Sequence, residues 1–232
     1  MKRFYREVTV AAEADGWRVL LDGRGVRTPG GAAQIVPTEA LAAAMAREWA
    51  DQGEEIDLKQ FRLRDLSDYT IDVVAADPAS VLRELLPYAE TDTLCYRGDA
   101  GEALNERQAE VWEPLLTAAE QRWDIHFNRI CGIIHQPQPP ETLARLQAVL
   151  SAQSPWSLSA LRMLSSLAAS LVIALAAIEP EADAVALWDA ANLEEDWQVE
   201  LWGQDAEAAE LRQTRLAAFE LAIRFAALAR DS

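Results

Sequence analysis

The chain has 232 residues, half of them hydrophobic and a quarter charged, which supplies a buried core and excludes a disordered chain. Asp and Glu number 38 against 21 Lys and Arg, and the net charge of -17 opposes nucleic acid and anionic membrane surfaces as partners. By length, one domain or two small ones are expected.

The opening segment alternates and turns. Residues 4–10 predict a strand, Asp15-Gly16 a turn, residues 17–21 a second strand, and Asp22-Gly23-Arg24-Gly25 a glycine turn leading into residues 26–28. Pro29-Gly30-Gly31 turns again, and Gln34-Ile35-Val36 is a further short strand. Thr38 then caps a helix with Leu41, Met45 and Trp49 at successive i+4 positions, and Gly53 ends it. A second helix starts near Leu63 and stops before Pro78, where Asp77-Pro78 opens a third that runs through Leu86. Residues 91–97 read as extended.

Leu104, Gln108, Val111, Leu115 and Ala119 keep one helical stripe, which Pro114 must kink or break. Residues 129–135 predict a short strand, and Gln136-Pro137-Gln138-Pro139-Pro140 reads as a linker. Four helical stretches follow, over 141–153, 155–178, 181–202 and 205–230, the last with Leu211, Leu216, Phe219 and Ile223 on one side. The expected fold is α+β: a small antiparallel β-rich N-terminal domain over residues 1–92, then a mostly α-helical bundle over 93–232.

Several kinds of chemistry are excluded. A phosphate-binding Walker loop needs Gly-Lys, and neither lysine, Lys2 or Lys59, follows a glycine. Gly23-Arg24-Gly25 starts a dinucleotide fingerprint, but Thr28 occupies the third glycine position. His126 and His135 are the only histidines and carry no Glu-x-x-His or Cys-x-x-Cys spacing, so no metal site is expected. No Gly-x-Ser-x-Gly elbow is present, and no catalytic residue or cofactor is assigned. Cys95 and Cys131 are expected to be buried free thiols of a reducing compartment. The apolar run 163–178 has sixteen residues, short for a membrane span, and reads as a buried helix. The start Met1-Lys2-Arg3 shows no signal or transit pattern, which predicts a cytoplasmic protein.

Between Glu179 and Glu210 the chain carries eleven acids and no lysine or arginine, interleaved with Trp188, Trp197 and Trp202. Most charge runs are solvated helix faces. Tryptophan, however, is scarce on such faces and enriched at interface hot spots. On a helix, Glu194, Gln198 and Trp202 share one stripe and Leu193, Trp197 and Leu201 the neighbouring one. One stripe can pack while the other presents a carboxylate, an amide and an indole to a basic partner segment. The rival reading uses Glu194 and Glu195 as an acid–base pair on a small substrate, but adjacent helical residues point about 100° apart and cannot straddle a bond.

Several separated motifs closely resemble a known family. They are Arg3-Phe4-Tyr5, Gly16-Trp17, Leu21-Asp22-Gly23-Arg24, Thr28-Pro29, Pro37-Thr38, Leu41-Ala42, and Glu48-Trp49 with Gln52. Thr91-Asp92-Thr93-Leu94 with Tyr96-Arg97, Gln108 with Trp112 and Pro114, and Leu193-Glu194-Glu195 through Gln198 to Trp202-Gly203 with Glu207 follow in order. Together they resemble the assembly chaperones that escort the alpha subunit of the F-type ATP synthase. The segment Gln60-Phe61-Arg62-Leu63 departs from the family's Met-Pro-Leu pattern, and no role is transferred to it.

The resemblance implies a non-enzymatic chaperone that binds the free alpha subunit, shields its beta-subunit face, and leaves when the catalytic head assembles. It implies a two-part fold, a monomer, and no cofactor, nucleic acid or membrane insertion. Eukaryotic members carry a mitochondrial presequence, so this chain is expected to be a bacterial cytoplasmic member or a mature form. The partner-binding residues it implies are Glu194, Glu195, Gln198, Trp202, Gly203 and Glu207, with Trp49, Asp92 and Arg97. Trp49 lies on the Leu41–Met45 stripe, so core packing competes with contact there. Asp92 and Arg97 read equally as an ion pair.

Overall fold

The structure, a computed structural model, describes residues 1–132, 135–203 and 205–230. Strands β1 (Val8–Glu13) and β2 (Gly16–Leu21) form an antiparallel hairpin with Val8 opposite Leu21 and Glu13 opposite Gly16. The next turn places Asp22 and Gly23 at φ 48° and 76°, the two positive values that a tight hairpin with right-handed twist requires. It returns the chain along β2 as β3 (Arg24–Gly25), and β4 (Ile35–Val36) pairs with the other end of β2. The first strand begins four residues later than expected. A side chain explains this: Asp22 Oδ1 accepts the amides of Arg6 and Glu7 at 3.0 and 2.8 Å, in place of ladder bonds.

Helix α1 (Glu39–Ala50) starts where Thr38 Oγ1 accepts the Leu41 amide at 3.1 Å, and it buries Leu41, Met45 and Trp49 against the sheet. It stops at Ala50, before Gly53. Helix α2 (Arg62–Tyr69) runs on into a π-helical turn, Thr70–Val74, ahead of α3 (Pro78–Glu90). The chain forms two compact units, the first comprising Met1–Pro78, Ser154–Ser159 and the chain from Arg224. Within it Trp156 and Phe225 stack with centroids 5.8 Å apart, and Thr70 donates to Ser159 at 2.7 Å.

The second unit comprises Ala79–Gln153 and Ala160–Ile223. Residues 91–97, expected extended, form a 3-10 turn (Thr93–Cys95) before β5 (Tyr96–Arg97), which pairs in parallel with β6 (Ile130–Cys131). Of the predicted strand 129–135 only β6 is a strand, and residues 133–134 lie outside the described residues. Cys95 is buried and Cys131 exposed, both free, so only one of the two expected buried thiols is buried.

Helix α4 (Ala103–Trp123) continues through Pro114 without a break. Pro114 lacks the amide that would bond the carbonyl four residues back, and that residue, Glu110, is exposed. The buried stripe is Gln108, Trp112, Leu116 and Ala119, one position on from the expected Val111 and Leu115.

Helices α5 (Pro140–Ser151), α6 (Pro155–Ala168), α7 (Leu171–Ala177), α8 (Ala184–Ala191), α9 (Leu193–Trp202) and α10 (Ala206–Leu228) complete the chain. Two of the long predicted helices are therefore each two. The run 155–178 breaks at Ala169, whose φ of 50° ends α6, and Ser170 opens α7 by accepting the Ile173 amide at 3.0 Å. The run 181–202 breaks at Asn192, whose side chain turns back to the Trp188 carbonyl at 2.7 Å. The architecture is α+β as expected, and no helix among the described residues is long and apolar enough to cross a membrane.

Candidate partner-binding surface

Helix α9 has little means of holding itself. Its first turn carries Glu194, Glu195 and Asp196, which suits the positive end of the helix dipole, but Asn192 makes no side-chain cap. Leu193 and Trp197 face inward to different degrees, Leu193 buried and Trp197 half-buried. The rest is anchored by charge from other helices. Arg107 on α4 meets Glu200 at 2.7 Å and lies 5.8 Å over the Trp197 ring. Arg212 on α10 pairs with Asp196, and Arg215 approaches Glu195 at 3.7 Å while donating to the Leu167 carbonyl at 2.9 Å. Glu195, Asp196 and Glu200, which have no local cation in the sequence, thus find arginines from α4 and α10. The hydrogen bond from Arg107 holds the Glu200 carboxyl below the usual range.

Beside these anchors, α9 and α10 enclose a groove of about 550 Å³. Glu195, Gln198, Trp202 and Gly203 line it from α9, and Leu211 and Arg212 from α10. Trp202 is 78% exposed, Leu211 60% and Leu201 56%. Scattered apolar residues need no explanation, but Trp202 and Leu211 share this groove and Leu201 adjoins Trp202 in sequence, which puts three exposed large apolar side chains around the end of α9. Gly203, at φ 89°, ends α9 in a conformation that favours glycine. Glu207 is exposed in the first turn of α10, where Asp205 accepts its amide at 3.0 Å.

Six of the nine residues expected to bind a partner therefore lie on α9, at its end, or at the start of α10. Glu194 faces α4, accepting from Gln108 at 2.7 Å, whereas Glu195 faces α10; the two carboxylates serve different neighbours and form no acid–base pair. Trp49 is in the core of the first unit, 6% exposed, with its ring 4.4 Å from that of Phe61. Asp92 is fully buried: it accepts the Leu94 amide at 3.1 Å and the Val172 amide, in the first turn of α7, at 3.0 Å. Burial pushes its carboxyl up to about 6 against the pull of these amides.

The suggested Asp92–Arg97 pair is replaced by other partners. Arg97 meets Glu113 at 3.2 Å, donates to the Gln108 carbonyl at 2.6 Å and lies over the Trp112 ring. Glu113 is shared with Arg129 at 2.5 Å. As placed, Trp49, Asp92 and Arg97 shape the units from within and offer almost no surface. Sequence reasoning missed Leu211, Arg212 and Arg215. The available signal is Arg212 and Arg215, one turn apart on a helix directly following the acidic stretch.

Comparison with known proteins agrees with this frame. Residues 2–120 match the family described as ATP12 chaperone protein. The mitochondrial protein atp12 of Schizosaccharomyces pombe is 26% identical over 223 residues, covering 90% of this chain and 76% of that one. The crystal structure of Atp12 from Paracoccus denitrificans superposes with a TM-score of 0.94 at 39% identity, over 99% of this chain and 98% of that one. The Atu1473 protein of Agrobacterium tumefaciens superposes with a TM-score of 0.92 at 35% identity, covering 99% and 86% of the two chains. An α+β chain with an arginine-anchored acidic helix, an uncovered aromatic strip and this likeness in sequence and fold belongs to the ATP12 chaperone family, which consists of chaperones and not of enzymes.

Proposed function

We propose that the chain captures the free alpha subunit of the F-type ATP synthase and covers the face that subunit later offers to the beta subunit. It does so as a monomer in the bacterial cytoplasm, without nucleotide. The observation that carries this reading is the 78% exposed Trp202 beside Leu201 and Leu211 on an acidic helix of a chaperone-family protein. An unassembled ring subunit exposes apolar surface that aggregates, and a partner suited to it needs an apolar strip with charges that steer encounter. The contact set is Glu194, Glu195, Gln198, Trp202, Gly203 and Glu207. Trp49, Asp92 and Arg97 support it by keeping their units folded.

Isolated alpha subunit should co-purify with the chain in nucleotide-free buffer, and its aggregation, followed by light scattering, should fall. Trp202→Ala should weaken capture by about tenfold or more, as expected of a hot-spot aromatic, while leaving the melting temperature unchanged. Binding by the parent with undiminished binding by the variant refutes the surface. No binding by the parent refutes the client.

A further inference from the structure

The first unit carries a groove of about 680 Å³ that the reading above does not use. Its walls are aromatic: Phe4, Tyr5 and Trp49 line it, joined edge to face with centroids 5.3 and 5.4 Å apart. Phe4 is 64% exposed. Three arginines, Arg24, Arg27 and Arg64, share the lining. Arg64 is fixed in place, 3.2 Å from Asp68 and 5.6 Å over the Trp49 ring, whereas Arg24, in β3, and Arg27, which donates to the Gly31 carbonyl at 2.7 Å, are exposed.

The one carboxylate in the lining, Asp22, is already engaged by the amides of Glu7 and Arg6, which hold it below the usual range. In a chain of net charge -17 this is a local reversal of sign. A second observation concerns Trp49. It is 6% exposed, yet its indole N–H has no hydrogen-bond partner, an unusual omission for a buried donor.

We propose that this groove binds an extended partner segment in which apolar side chains alternate with carboxylates. The apolar side chains fill the aromatic walls, and the carboxylates take the planar, two-pronged donors that guanidinium offers. The Trp49 indole N–H is itself buried, so it reports on the aromatic wall and makes no bond to the bound chain. A basic segment is repelled, and an anion with no apolar part leaves the aromatic walls uncovered. The inference stands apart from the alpha-subunit reading, since its residues all belong to the first unit and the α9 groove to the second.

The test is a titration of the full chain with a fluorescein-labelled Glu-Phe-Asp-Leu-Glu-Leu peptide, read by anisotropy. Its counterpart with Lys in place of each acid, and its counterpart with Gly in place of each apolar residue, should each bind at least about tenfold more weakly. The double variant Arg24→Glu, Arg27→Glu should lose about tenfold in affinity for the acidic peptide, and Phe4→Ser should lose a comparable factor by removing a wall. Trp202→Ala should bind this peptide like the parent. The Trp49 indole N–H resonance should shift as the acidic peptide binds. Equal binding of the lysine peptide, affinity unaffected by both groove variants, or displacement by inorganic phosphate at equal concentration would overturn the proposal.

Discussion

Gln108, fully buried on α4, donates its side-chain amide to Glu194 on α9 at 2.7 Å and accepts the Gly98 amide at 2.8 Å. Both ends of the amide are therefore committed, and 86 residues of sequence separation are closed by one hydrogen bond. Glu194→Lys removes the acceptor and sets a second donor against the first. It should cost about 1–3 kcal/mol in urea unfolding, whereas Glu194→Gln, which keeps an acceptor, should cost about 1 kcal/mol or less. Equal cost for the two would show that the bond contributes nothing. A charge reversal at Glu194 thus tests stability and binding together, and Trp202 is the cleaner probe of contact.

Asp92 makes stability depend on pH in an unusual direction. Burial, outweighing the hydrogen bonds it accepts, pushes its folded-state carboxyl from the usual aspartate range of about 4 up to about 6. The native state therefore holds the proton more tightly than the unfolded chain. This contribution is fully present below about pH 4 and lost as pH rises through 6. Between pH 7 and pH 5 the parent should gain about 1 kcal/mol relative to Asp92→Asn, a variant that cannot titrate. Urea unfolding of both proteins at the two pH values reads the difference directly, and parallel pH profiles would contradict the assignment.

Ala169 adopts φ 50° between α6 and α7, where its carbonyl accepts both the amide and the hydroxyl of Thr93 at 3.2 and 2.9 Å. A glycine reaches this conformation without the clash of a Cβ. Ala169→Gly should stabilise the protein by about 1 kcal/mol in thermal or chemical unfolding, opposite in sign to most glycine substitutions.

Gly16 is the converse case. At φ 148°, a Cβ built there would sit 2.3 Å from the Val36 carbonyl oxygen, on the backbone of the paired strand. Gly16→Ala should destabilise the first unit by about 2 kcal/mol or more, seen as an earlier unfolding transition, because neither strand can move without breaking its register.

Local chemistry made much of the fold legible. Thr38 capped its helix as its hydroxyl predicts, and Asp22-Gly23 turned as its residues require. What escaped were features decided by distant neighbours. The breaks at Ala169 and Asn192 are set by packing and capping, not by a proline or glycine in the run, so an uninterrupted apolar pattern read as one helix. Pro114, one of whose two expected effects is a break, lies inside an unbroken α4, with Glu110, the residue whose carbonyl loses its amide partner, exposed. Trp156 and Phe225 join the first unit from remote parts of the chain, which no local periodicity signals. The acids and tryptophans of α9 mark its surface in the sequence. The cations that hold it, Arg107 on α4 and Arg212 on α10, lie outside the acidic stretch 179–210.

Each of the cations on α9 is an arginine: Arg107 on Glu200, Arg212 on Asp196, Arg215 near Glu195. A guanidinium does not shed its proton in any medium where a protein stays folded, but a carboxylate gains one in acid. Alkali therefore leaves the Arg107–Glu200 clamp closed, and Glu200, held low by Arg107, resists protonation to a lower pH than an ordinary glutamate. That anchor lies two residues before Trp202, so the end of the helix that presents the indole is the part the clamp holds.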